Sequence, residues 1–583
     1  MCGIMACVGE DVGEIAVRGL KRMQYRGYDS YGFAWVDGRN QAIQTRRSID
    51  SLEEFTDPLP ECTAVLGHTR WATHGGVSLE NCHPHTARTM EFSLAHNGIV
   101  ENHQQLKAAI GDVIYLSETD TEVIVRLLES ALCDLPSRLE AFRSVISELE
   151  GRNTIVVLFS DGEMLGFREG SPLVLGQGDG QYFLASDVLS FSQQTDRCFA
   201  LGEGSIVRIK GAGVEVFNNR GQVQQVKWEI IELPESETGK DDYAHYMLKE
   251  IMEQWQSIAR QVNVDATEIS RLSDICGSGR SILVTGAGGA YFTSIQIAWL
   301  LRVIGGVRAL AVPAYEIDSV STMFEAGDLV LAISQSGETA DTISAVDTAR
   351  SWGLRIASLV NMPMSSLTRM SEFKFANQSG PEICVLSTKS ASAQVTFGYL
   401  LAKKVAGETD HQQNIDQLSQ ELSQYLTLAN VRIIQRLAGS LLHNRHIFLL
   451  GRGLYSGTAR IGALNIKEAS YVHAEAFSAG ELKHGVIALI ERGTPVILFA
   501  GRDDVYMLNV AAEVRSRGAR VIAMAYENNP LFDEFIKLPD VSDPLLAAVS
   551  SMIPCQLLAY YLSIQSGVNP DKPRNLAKSV TVQ

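Results

Sequence analysis

The stretch SILVTGAG, residues 281–288, is an apolar run that ends in glycine-rich sequence, as a buried strand of a parallel sheet does. This stretch and two others that follow it each recur about 165 residues later in the chain. The three pairs are SILVTGAG (281–288) with HIFLLGRG (446–453), DLVLAISQSG (328–337) with TPVILFAGRD (494–503), and GLRIASLVNMPMS (353–365) with GARVIAMAYENNP (518–530). A constant offset predicts two copies of one α/β domain, each with a parallel sheet covered by helices on both faces.

The residues before this repeat have a different pattern. Up to about residue 230 it predicts short strands, turns and two helices, one of them at TDTEVIVRLLESAL (119–132). The polar stretch ELPESETGKDDYA (232–244) is typical of a linker, and HYMLKEIMEQWQSIARQV (245–262) predicts one long helix. The predicted organisation is a domain at 2–231, the linker at 232–244, repeat domains at 245–415 and 416–568, and a polar tail at 569–583.

Composition narrows the class of protein. The 583 residues are 45% hydrophobic and 20% charged, which fits folded domains and argues against disorder. The net charge of −17 argues against nucleic acid or an anionic membrane as a partner, and no uninterrupted apolar run reaches about 18 residues. Nine scattered cysteines, without a CxxC pair, indicate reduced thiols in a cytoplasmic protein and neither disulfides nor a zinc site.

Cys2 stands directly behind the start methionine. Removal of Met1 would leave a thiol and an α-amine on the same residue. The reference pKa of an α-amine is about 7.7–8.0 and that of a thiol about 8.5, so the amine can accept the thiol proton near neutral pH. Cys2 is therefore a candidate nucleophile with its own base, although an inert free cysteine is the alternative.

Three short segments supply the groups that a nucleophilic Cys2 would need. Asn97 and the backbone N–H of Gly98, in HNGIVEN, could stabilise the oxyanion that forms when a thiol attacks an amide. Arg70, in HTRWATHG, can hold a carboxylate through two hydrogen bonds, and Asp120, in SETDTE, can pair with an ammonium group. The plainer interpretations stay open, because Asn-Gly is a common turn and an Arg-Trp pair on a surface has no necessary function.

The loop SQSGETADT, from Ser334 to Thr342, connects a predicted strand to a predicted helix. Hydroxyls and backbone N–H groups at a helix N-terminus bind anions without needing a positive charge. Ligands of parallel sheets lie at the carboxyl ends of the strands, where this loop is expected. The loop predicts a phosphate site, with an ordinary Ser/Thr helix cap as the alternative.

Two further segments carry titratable groups. KEASYVHAEAFSAGELKHG (467–485) supplies Glu468 on a helix and His484 in the following loop, which could move protons in an enolisation or a sugar ring opening. Lys578, in the tail segment RNLAKSV, could form a Schiff base with a ketone if it enters a dry pocket. Each segment also has a plainer interpretation, as a surface helix with a capping histidine and as a solvated tail lysine.

Together these motifs resemble those of the glutamine–fructose-6-phosphate aminotransferase (isomerizing) family, also called glucosamine-6-phosphate synthases, over nearly the whole chain. CGI, YRGYDS, HTRWATHG, HPH, HNGIVEN and SETDTEV match its class II glutaminase domain. HYMLKEI, SQSGETADT, STK, KEASYVHAEA, GELKHG and PRNLAKSVTV match its two sugar isomerase (SIS) domains and tail. The resemblance implies a multidomain fold: an α+β glutaminase of the N-terminal-nucleophile type with αββα layers, followed by two α/β SIS domains with parallel sheets.

For the glutaminase domain the resemblance implies that Cys2, freed of Met1, attacks the side-chain amide of glutamine and releases ammonia through a glutamyl thioester. Asn97 and Gly98 would hold the oxyanion. Trp71 would lie where the family gates an ammonia passage between domains, and His83 falls in a family motif. The residues implied to bind glutamine are Arg70, Trp71, Thr73, His74 and Asp120.

For the SIS domains the resemblance implies a site for fructose 6-phosphate that yields glucosamine 6-phosphate. Lys578 would form an imine with the C2 ketone, Glu468 would move a proton between C1 and C2, and His484 of a neighbouring subunit would help to open the ring. A residue shared in this way requires at least a homodimer, and no metal or organic cofactor is implied. The residues implied to bind the sugar phosphate are Ser334, Gln335, Ser336, Thr339, Val385 and Ser387.

Three positions depart from the family pattern. Gly288 stands where the family has a serine, Asn465 where it has a lysine three residues before Glu468, and Ile461 where it has a glutamate. Asparagine supplies neither a positive charge nor a titratable amine. The departures leave open a paralogue that aminates another keto-sugar phosphate or aminates without isomerisation. A non-enzymatic sugar-phosphate sensor is a further alternative, which the retained nucleophile and imine-forming lysine disfavour.

Overall fold

The computed structural model describes residues 2–37, 42–111, 113–231, 239–362 and 364–581. The chain forms two compact units, one of Met1–Thr238 with Ala577–Gln583 and one of Gly239–Leu576. Most of the predicted linker, residues 232–238, lies outside the described residues. Residues 239–244 form irregular turns.

The first unit contains two antiparallel sheets. Its strands are β1 (Gly3–Val8), β2 (Ser30–Val36), β3 (Ile43–Ser48), β4 (Ala64–Arg70), β5 (His85–Thr86), β6 (Phe92–Gly98), β7 (Asn153–Phe159), β8 (Met164–Arg168), β9 (Val174–Gln177), β10 (Tyr182–Ala185), β11 (Arg197–Ala200), β12 (Ser205–Lys210), β13 (Gly213–Phe217), β14 (Val223–Gln224) and β15 (Glu229–Ile230). Over the described residues one sheet has the order β15-β11-β9-β10-β1-β4-β2-β3 and the other the order β14-β13-β12-β8-β7-β6-β5.

The two sheets pack face to face, and helices cover their outer faces. Strand β7 illustrates the alternation, because Val156 and Leu158 contribute to the core between the sheets, whereas Ile155 and Val157 pack against the helical layer. This is the αββα arrangement that the resemblance predicts. The helices of the unit are α1 (Gly13–Arg22), α2 (His103–Ile110), α3 (Thr121–Asp134) and α4 (Arg138–Glu148).

The prediction of two helices in this region is therefore wrong, since the described residues form four. Glycines explain why α1 is missed: Gly13 and Gly19 lower its helix propensity. Gly19 is needed for close packing, because a Cβ there would lie 2.6 Å from the carbonyl oxygen of Ser190. Helix α2 is eight residues long and buries only Leu106, so its apolar pattern is weak.

The second unit contains two parallel sheets. Their strands are β16 (Ile282–Gly286), β17 (Ala309–Pro313), β18 (Leu329–Ser334), β19 (Arg355–Val360), β20 (Phe373–Ala376), β21 (His446–Gly451), β22 (His473–Ser478), β23 (Pro495–Ala500), β24 (Arg520–Ala525) and β25 (Glu534–Lys537). The sheet orders, β17-β16-β18-β19-β20 and β22-β21-β23-β24-β25, are the same order in two copies. The repeat predicted from the sequence is confirmed.

Helices lie on both faces of each parallel sheet and join the two copies. The helices are α5 (Tyr246–Met252), α6 (Gln254–Ala259), α7 (Ala266–Gly277), α8 (Gly289–Val303), α9 (Ala340–Ser351), α10 (Ser366–Met370), α11 (Lys389–Val405), α12 (His411–Tyr425), α13 (Leu428–Leu441), α14 (Leu454–Ser470), α15 (Val505–Arg515) and α16 (Ala547–Gln565). Helix α8 of the first copy packs on α14 of the second. Buried Gln296 of α8 donates there to the carbonyl oxygen of Leu454 at 3.0 Å and to Thr458 Oγ1 at 3.1 Å.

The single long helix predicted for 245–262 is wrong, because the segment divides into α5, α6 and a 3₁₀ turn at Arg260–Asn263. Glu253 separates α5 from α6. The side-chain amide of the next residue, Gln254, donates to the carbonyl oxygen of Ile251 at 3.3 Å and to Gln556 at 2.7 Å. A side chain that donates to a backbone carbonyl oxygen in this way interrupts the regular hydrogen-bond pattern of a helix.

One segment, Pro544–Gln565, is long and apolar enough to span a membrane by length and composition. In the fold 89% of its most apolar window is buried. The segment therefore serves as a core helix, packed mainly on α13 and α14.

Candidate functional site

Cys2 immediately precedes β1, beside the end of β4. Its Sγ accepts a hydrogen bond from the backbone N–H of Trp71 at 3.3 Å and lies 3.6 Å from the carbonyl oxygen of Trp71. Burial raises the pKa of the Cys2 thiol, while the chain's amino terminus and the Trp71 N–H act in the opposite direction. The donor and the amine favour the thiolate, which is the nucleophilic form, but burial outweighs them and the net shift of the Cys2 pKa is upward.

Asn97 lies beside Cys2, at the end of β6. Its side-chain nitrogen donates to the carbonyl oxygen of Cys2 at 3.2 Å. The Asn97-Gly98 pair forms no turn, since both residues pair with β7. Gly98 has a φ of 143°, and a Cβ there would lie 2.0 Å from the carbonyl oxygen of Arg152, so the position accepts only glycine.

Arg70 is buried and holds the loop that follows β4. Its guanidinium donates to the carbonyl oxygens of His74 at 2.6 Å, Gly75 at 3.0 Å and Gly76 at 2.9 Å. Thr73, in the same loop, is exposed. Arg70 therefore shapes the loop that carries three predicted glutamine-binding residues, Trp71, Thr73 and His74.

Asp120 is buried and faces the segment after β6. Its Oδ2 accepts from the backbone N–H of Val100 at 2.7 Å and makes no capping bond to α3. The carboxylate thus connects the start of α3 to the HNGIV segment. The structure brings Cys2 and Asn97 into direct contact. Asp120 touches neither of them in these hydrogen bonds but accepts from Val100, three residues after Asn97.

A cluster of four buried histidines lies next to Asn97, and sequence reasoning noted only one of its members. The rings of His83 and His68 have centroids 4.4 Å apart, and those of His83 and His85 are 4.6 Å apart. Thr121 Oγ1 lies 3.0 Å from His83 Nε2 and 2.9 Å from His96 Nδ1. The available signal was the recurrence of histidine in three of the quoted motifs, at HTR, HPH and HNG.

Burial is the main cause of low pKa values in this cluster. It lowers the pKa of His68 and of His85 to about 3, and it also lowers the pKa values of His83 and His96. The imidazoles are therefore neutral at physiological pH and act as hydrogen-bonding groups.

In the second unit the loop predicted to bind phosphate follows β18 and leads into α9. Ser334 Oγ accepts from the N–H of Gly337 at 2.9 Å, and Ser336 Oγ accepts from the N–H of Glu338 at 3.1 Å. Thr339 occupies the N-cap position directly before α9, and its side chain makes no capping hydrogen bond. Gln335 is half-buried in the same loop.

Two buried carboxylates order the neighbouring segment, which carries Val385 and Ser387. Glu250 accepts from the N–H groups of Ile383 at 2.6 Å and Cys384 at 2.9 Å, and from Thr388 Oγ1 at 2.9 Å. Glu382 accepts from the N–H groups of Thr388 and Ser390, both at 2.9 Å, at the start of α11. Sequence reasoning missed both, because an isolated glutamate carries no local signal of burial.

The residues predicted to carry proton transfer and imine formation are divided between the units. Glu468 is half-buried on α14, and His484 is exposed at the end of a 3₁₀ turn, Glu481–His484, both in the second unit. Lys578 is half-buried and belongs to the first unit. Among the described residues no group of three or more His, Cys, Asp or Glu side chains is suited to hold a metal ion.

Comparison with known proteins matches both units. The family model of class-II glutamine amidotransferases matches residues 15–175, and the SIS domain model matches 278–404 and 440–566. A glutamine–fructose-6-phosphate aminotransferase (isomerizing) of Pyrococcus horikoshii is 37% identical over the full length of both chains. Relatives with the same name from Clostridium tetani and Acinetobacter baylyi are 35% and 34% identical, also over both full lengths. The chain belongs to the glutamine–fructose-6-phosphate aminotransferase family.

A solved structure supports this membership for the second unit. The C-terminal domain of glucosamine-fructose-6-phosphate aminotransferase from Francisella tularensis is 31% identical, with a TM-score of 0.51. It covers 57% of this chain and 99% of its own. Both parallel sheets of this aminotransferase-family chain thus belong to SIS domains. In the first of them, β16 and β18 are neighbours at the point where the strand order reverses.

The three departures from the aminotransferase pattern are divided between the two SIS domains, with Gly288 in the first and Asn465 and Ile461 in the second. Gly288 has a φ of 57°, and a Cβ there would meet no atom within 4 Å of the described protein. Adjoining it, a Cβ on Gly289 would lie 3.4 Å from that of Ser387. Asn465 is buried with no hydrogen-bond partner for its Oδ1 among the described residues, and Ile461 is buried on the same helix.

Proposed function

We propose that this protein hydrolyses glutamine and transfers the ammonia to fructose 6-phosphate, with isomerisation to glucosamine 6-phosphate. Membership of the family over the full length of the chain carries the proposal. The contact between Cys2 and Asn97 adds a nucleophile beside a donor in the unit matched to class-II amidotransferases.

In the proposed glutaminase reaction, Met1 is removed and the Cys2 thiolate attacks the amide carbon of glutamine. The carbonyl oxygen becomes an oxyanion held by the Asn97 side chain and the Gly98 N–H. Collapse of this intermediate expels ammonia, which takes the proton first accepted by the α-amine, and leaves a glutamyl thioester. Water then releases glutamate and regenerates the thiol.

Glutamine binding is assigned to the loop after β4 and to Asp120. The buried Asp120 carboxylate would pair with the substrate ammonium group. Arg70 already donates to three carbonyl oxygens of its loop, so its proposed contact with the substrate carboxylate would add to that network. Thr73 and His74 follow on the same loop, and Trp71 adjoins the thiol through its backbone.

In the proposed sugar reaction, the loop after β18 and the 385–387 segment hold the phosphate of the ketose. Lys578 forms an imine at C2, ammonia displaces the lysine, and Glu468 moves a proton from C1 to C2. His484 is proposed to act in the site of a neighbouring subunit of a homodimer. Its exposure at the surface of its own chain is compatible with that role.

The deciding experiment incubates the purified protein with glutamine and fructose 6-phosphate and identifies the products by NMR. Glucosamine 6-phosphate and glutamate in equal amounts are expected. Glutamate without an amino sugar would overturn the proposed sugar substrate. Absence of both products would overturn the glutaminase assignment as well.

A second candidate, amination of a different keto-sugar phosphate or amination without isomerisation, is favoured by one observation. The buried Oδ1 of Asn465 lacks a donor among the described residues, three positions before Glu468 on α14. Borohydride reduction in the presence of several ketose phosphates, followed by mass spectrometry of the Lys578 peptide, separates the candidates. Preferential trapping of a ketose other than fructose 6-phosphate would support the second one.

A further inference from the structure

The side-chain amide of Asn97 is held at both of its ends. Its Nδ2 donates to Ser186 Oγ at 3.0 Å and to the carbonyl oxygen of Cys2 at 3.2 Å. Its Oδ1 lies 3.1 Å from Nε2 of His68. Ser186 is itself fixed, because its Oγ also accepts from the backbone N–H of Ile4 at 3.0 Å.

The hydrogen bonds of His68 determine which of its ring nitrogens carries the proton. Nε2 faces two oxygen acceptors, Oδ1 of Asn97 and the carbonyl oxygen of His96 at 3.3 Å. Nε2 must therefore be protonated. Nδ1 has no partner within hydrogen-bond distance in the described part of the chain, which fits the unprotonated nitrogen of a neutral ring. Full burial, which lowers the pKa of His68 to about 3, keeps the ring neutral.

This arrangement excludes the rotated form of the Asn97 amide. Rotation by half a turn would place the Asn97 NH₂ group against the Nε2–H of His68. It would also place the amide oxygen against the carbonyl oxygen of Cys2, where two acceptors repel each other. Both ends would lose a buried hydrogen bond, and each unsatisfied buried group is strongly unfavourable.

We propose that His68 is a positioning residue for glutamine hydrolysis, which keeps the Asn97 amide nitrogen on the side of Cys2 and Ser186. The inference rests on the proposed function, in which Asn97 stabilises the oxyanion. His68 itself touches neither the thiol nor the substrate in this proposal. It acts through Asn97, because a donor stabilises an oxyanion only when it is preorganised.

The test compares three variants of the full-length protein in glutamate release from glutamine. His68→Leu removes the donor to Asn97. His68→Gln replaces it, since a glutamine side-chain N–H can reach the position of Nε2. His85→Leu is the matched control, because His85 belongs to the same buried cluster but bonds to Thr119 and not to Asn97. The alkylation rate of Cys2 by iodoacetamide is measured alongside, by mass spectrometry of the N-terminal peptide.

For His68→Leu the kcat for glutamate release is expected to fall about 10- to 100-fold, with KM for glutamine within about 3-fold of the unmodified value. His68→Gln should recover kcat to within about 5-fold, and His85→Leu should stay within about 3-fold. The alkylation rate should be unchanged in all three, because the sulfur's contacts are with Trp71.

An unchanged kcat in His68→Leu would overturn the inference, as would an equal loss in His85→Leu or a parallel loss of alkylation. If His68→Leu does not fold, Ser186→Ala removes the opposite contact of the same amide and should lower kcat in the same way. Wild-type kcat in Ser186→Ala would count against the proposal. Absence of glutamate release by the unmodified protein would instead overturn the proposed function, and this inference with it.

Discussion

Gly288 and Gly453 have the same backbone conformation, with φ and ψ of 57° and −126° in one and 58° and −125° in the other. Each directly precedes the first helix after the first strand of its SIS domain. Because L-residues with side chains rarely adopt such angles, the repeat preserves a glycine at the same tight turn in both copies. The two SIS domains therefore agree in the backbone conformation of this glycine as well as in their hydrophobic pattern.

Replacing Gly288 by alanine is expected to lower the free energy of unfolding by about 1 kcal/mol, through backbone conformation alone. No atom of the described protein lies within 4 Å of the added Cβ, so no clash contributes. Gly277→Ala is the control, because Gly277 ends α7 without a positive φ and also has open space around it. Urea unfolding of the full chain measures the stability of both variants. Equal unfolding midpoints for Gly288→Ala and Gly277→Ala would contradict this prediction.

Replacing Cys2 by serine is expected to reduce glutamate release by at least about 10³-fold, since a hydroxyl at this position is a far weaker nucleophile than a thiolate. Reductive trapping of fructose 6-phosphate on Lys578 should persist, because it needs no ammonia. Cys133→Ser, which changes an exposed cysteine, serves as the control. Glutamine hydrolysis that survives in Cys2→Ser would remove Cys2 from the mechanism.

Replacing Glu250 by alanine is expected to raise KM for fructose 6-phosphate about 10-fold or more, because the 383–388 segment loses its buried acceptor. Glutamate release in the absence of sugar should change little. The KM of Glu250→Gln should lie between those of the unmodified protein and Glu250→Ala, since the amide oxygen can still accept from the N–H groups of Ile383 and Cys384. Glu268→Gln is the control, because the partly exposed Glu268 pairs with Arg271 and not with this segment. An unchanged KM in Glu250→Ala would show that the segment is ordered by other contacts.

The buried histidine cluster predicts that the first unit loses stability in mild acid. The folded pKa values of His68 and His85 are about 3, against 6.5 for an exposed histidine, so the unfolded chain binds more protons between these values. Stability from these groups is therefore complete above about pH 7 and is lost as the pH falls below 6.5. His68 and His85 should each lower the free energy of unfolding by about 1.4 kcal/mol between pH 7.5 and pH 5.5.

Pulse hydrogen exchange in urea, followed on peptides from β4 and β6, measures this loss in the full chain. His85→Gln removes one of the titrating groups and should weaken the pH dependence by about the contribution of one histidine. A stability that is flat between pH 7.5 and pH 5.5 would contradict the assignment of the cluster as neutral. Peptides from β21 and β23 of the second unit provide the internal reference.

The parallel sheets were predictable because their strands are buried on both faces and therefore appear as uninterrupted apolar runs. Strand β18 and its copy β23 show this, and the constant offset identified them as a pair. The helix break at Glu253 was not predictable, because it involves a hydrogen bond from Gln254 to Gln556, about 300 residues away in the chain. Helix propensity is local, whereas this contact exists only in the folded chain.

The sequence by itself determined the family, the domain repeat and the identity of the candidate nucleophile Cys2, because these follow from residue types in a fixed order along the chain. Only the tertiary structure decided that Arg70 holds its own loop, that His68 faces Asn97, and that Glu250 orders a segment more than 130 residues away. The physical reason is that a hydrogen bond depends on distance, burial and the available partners. None of these three is encoded in the spacing of residues along the chain.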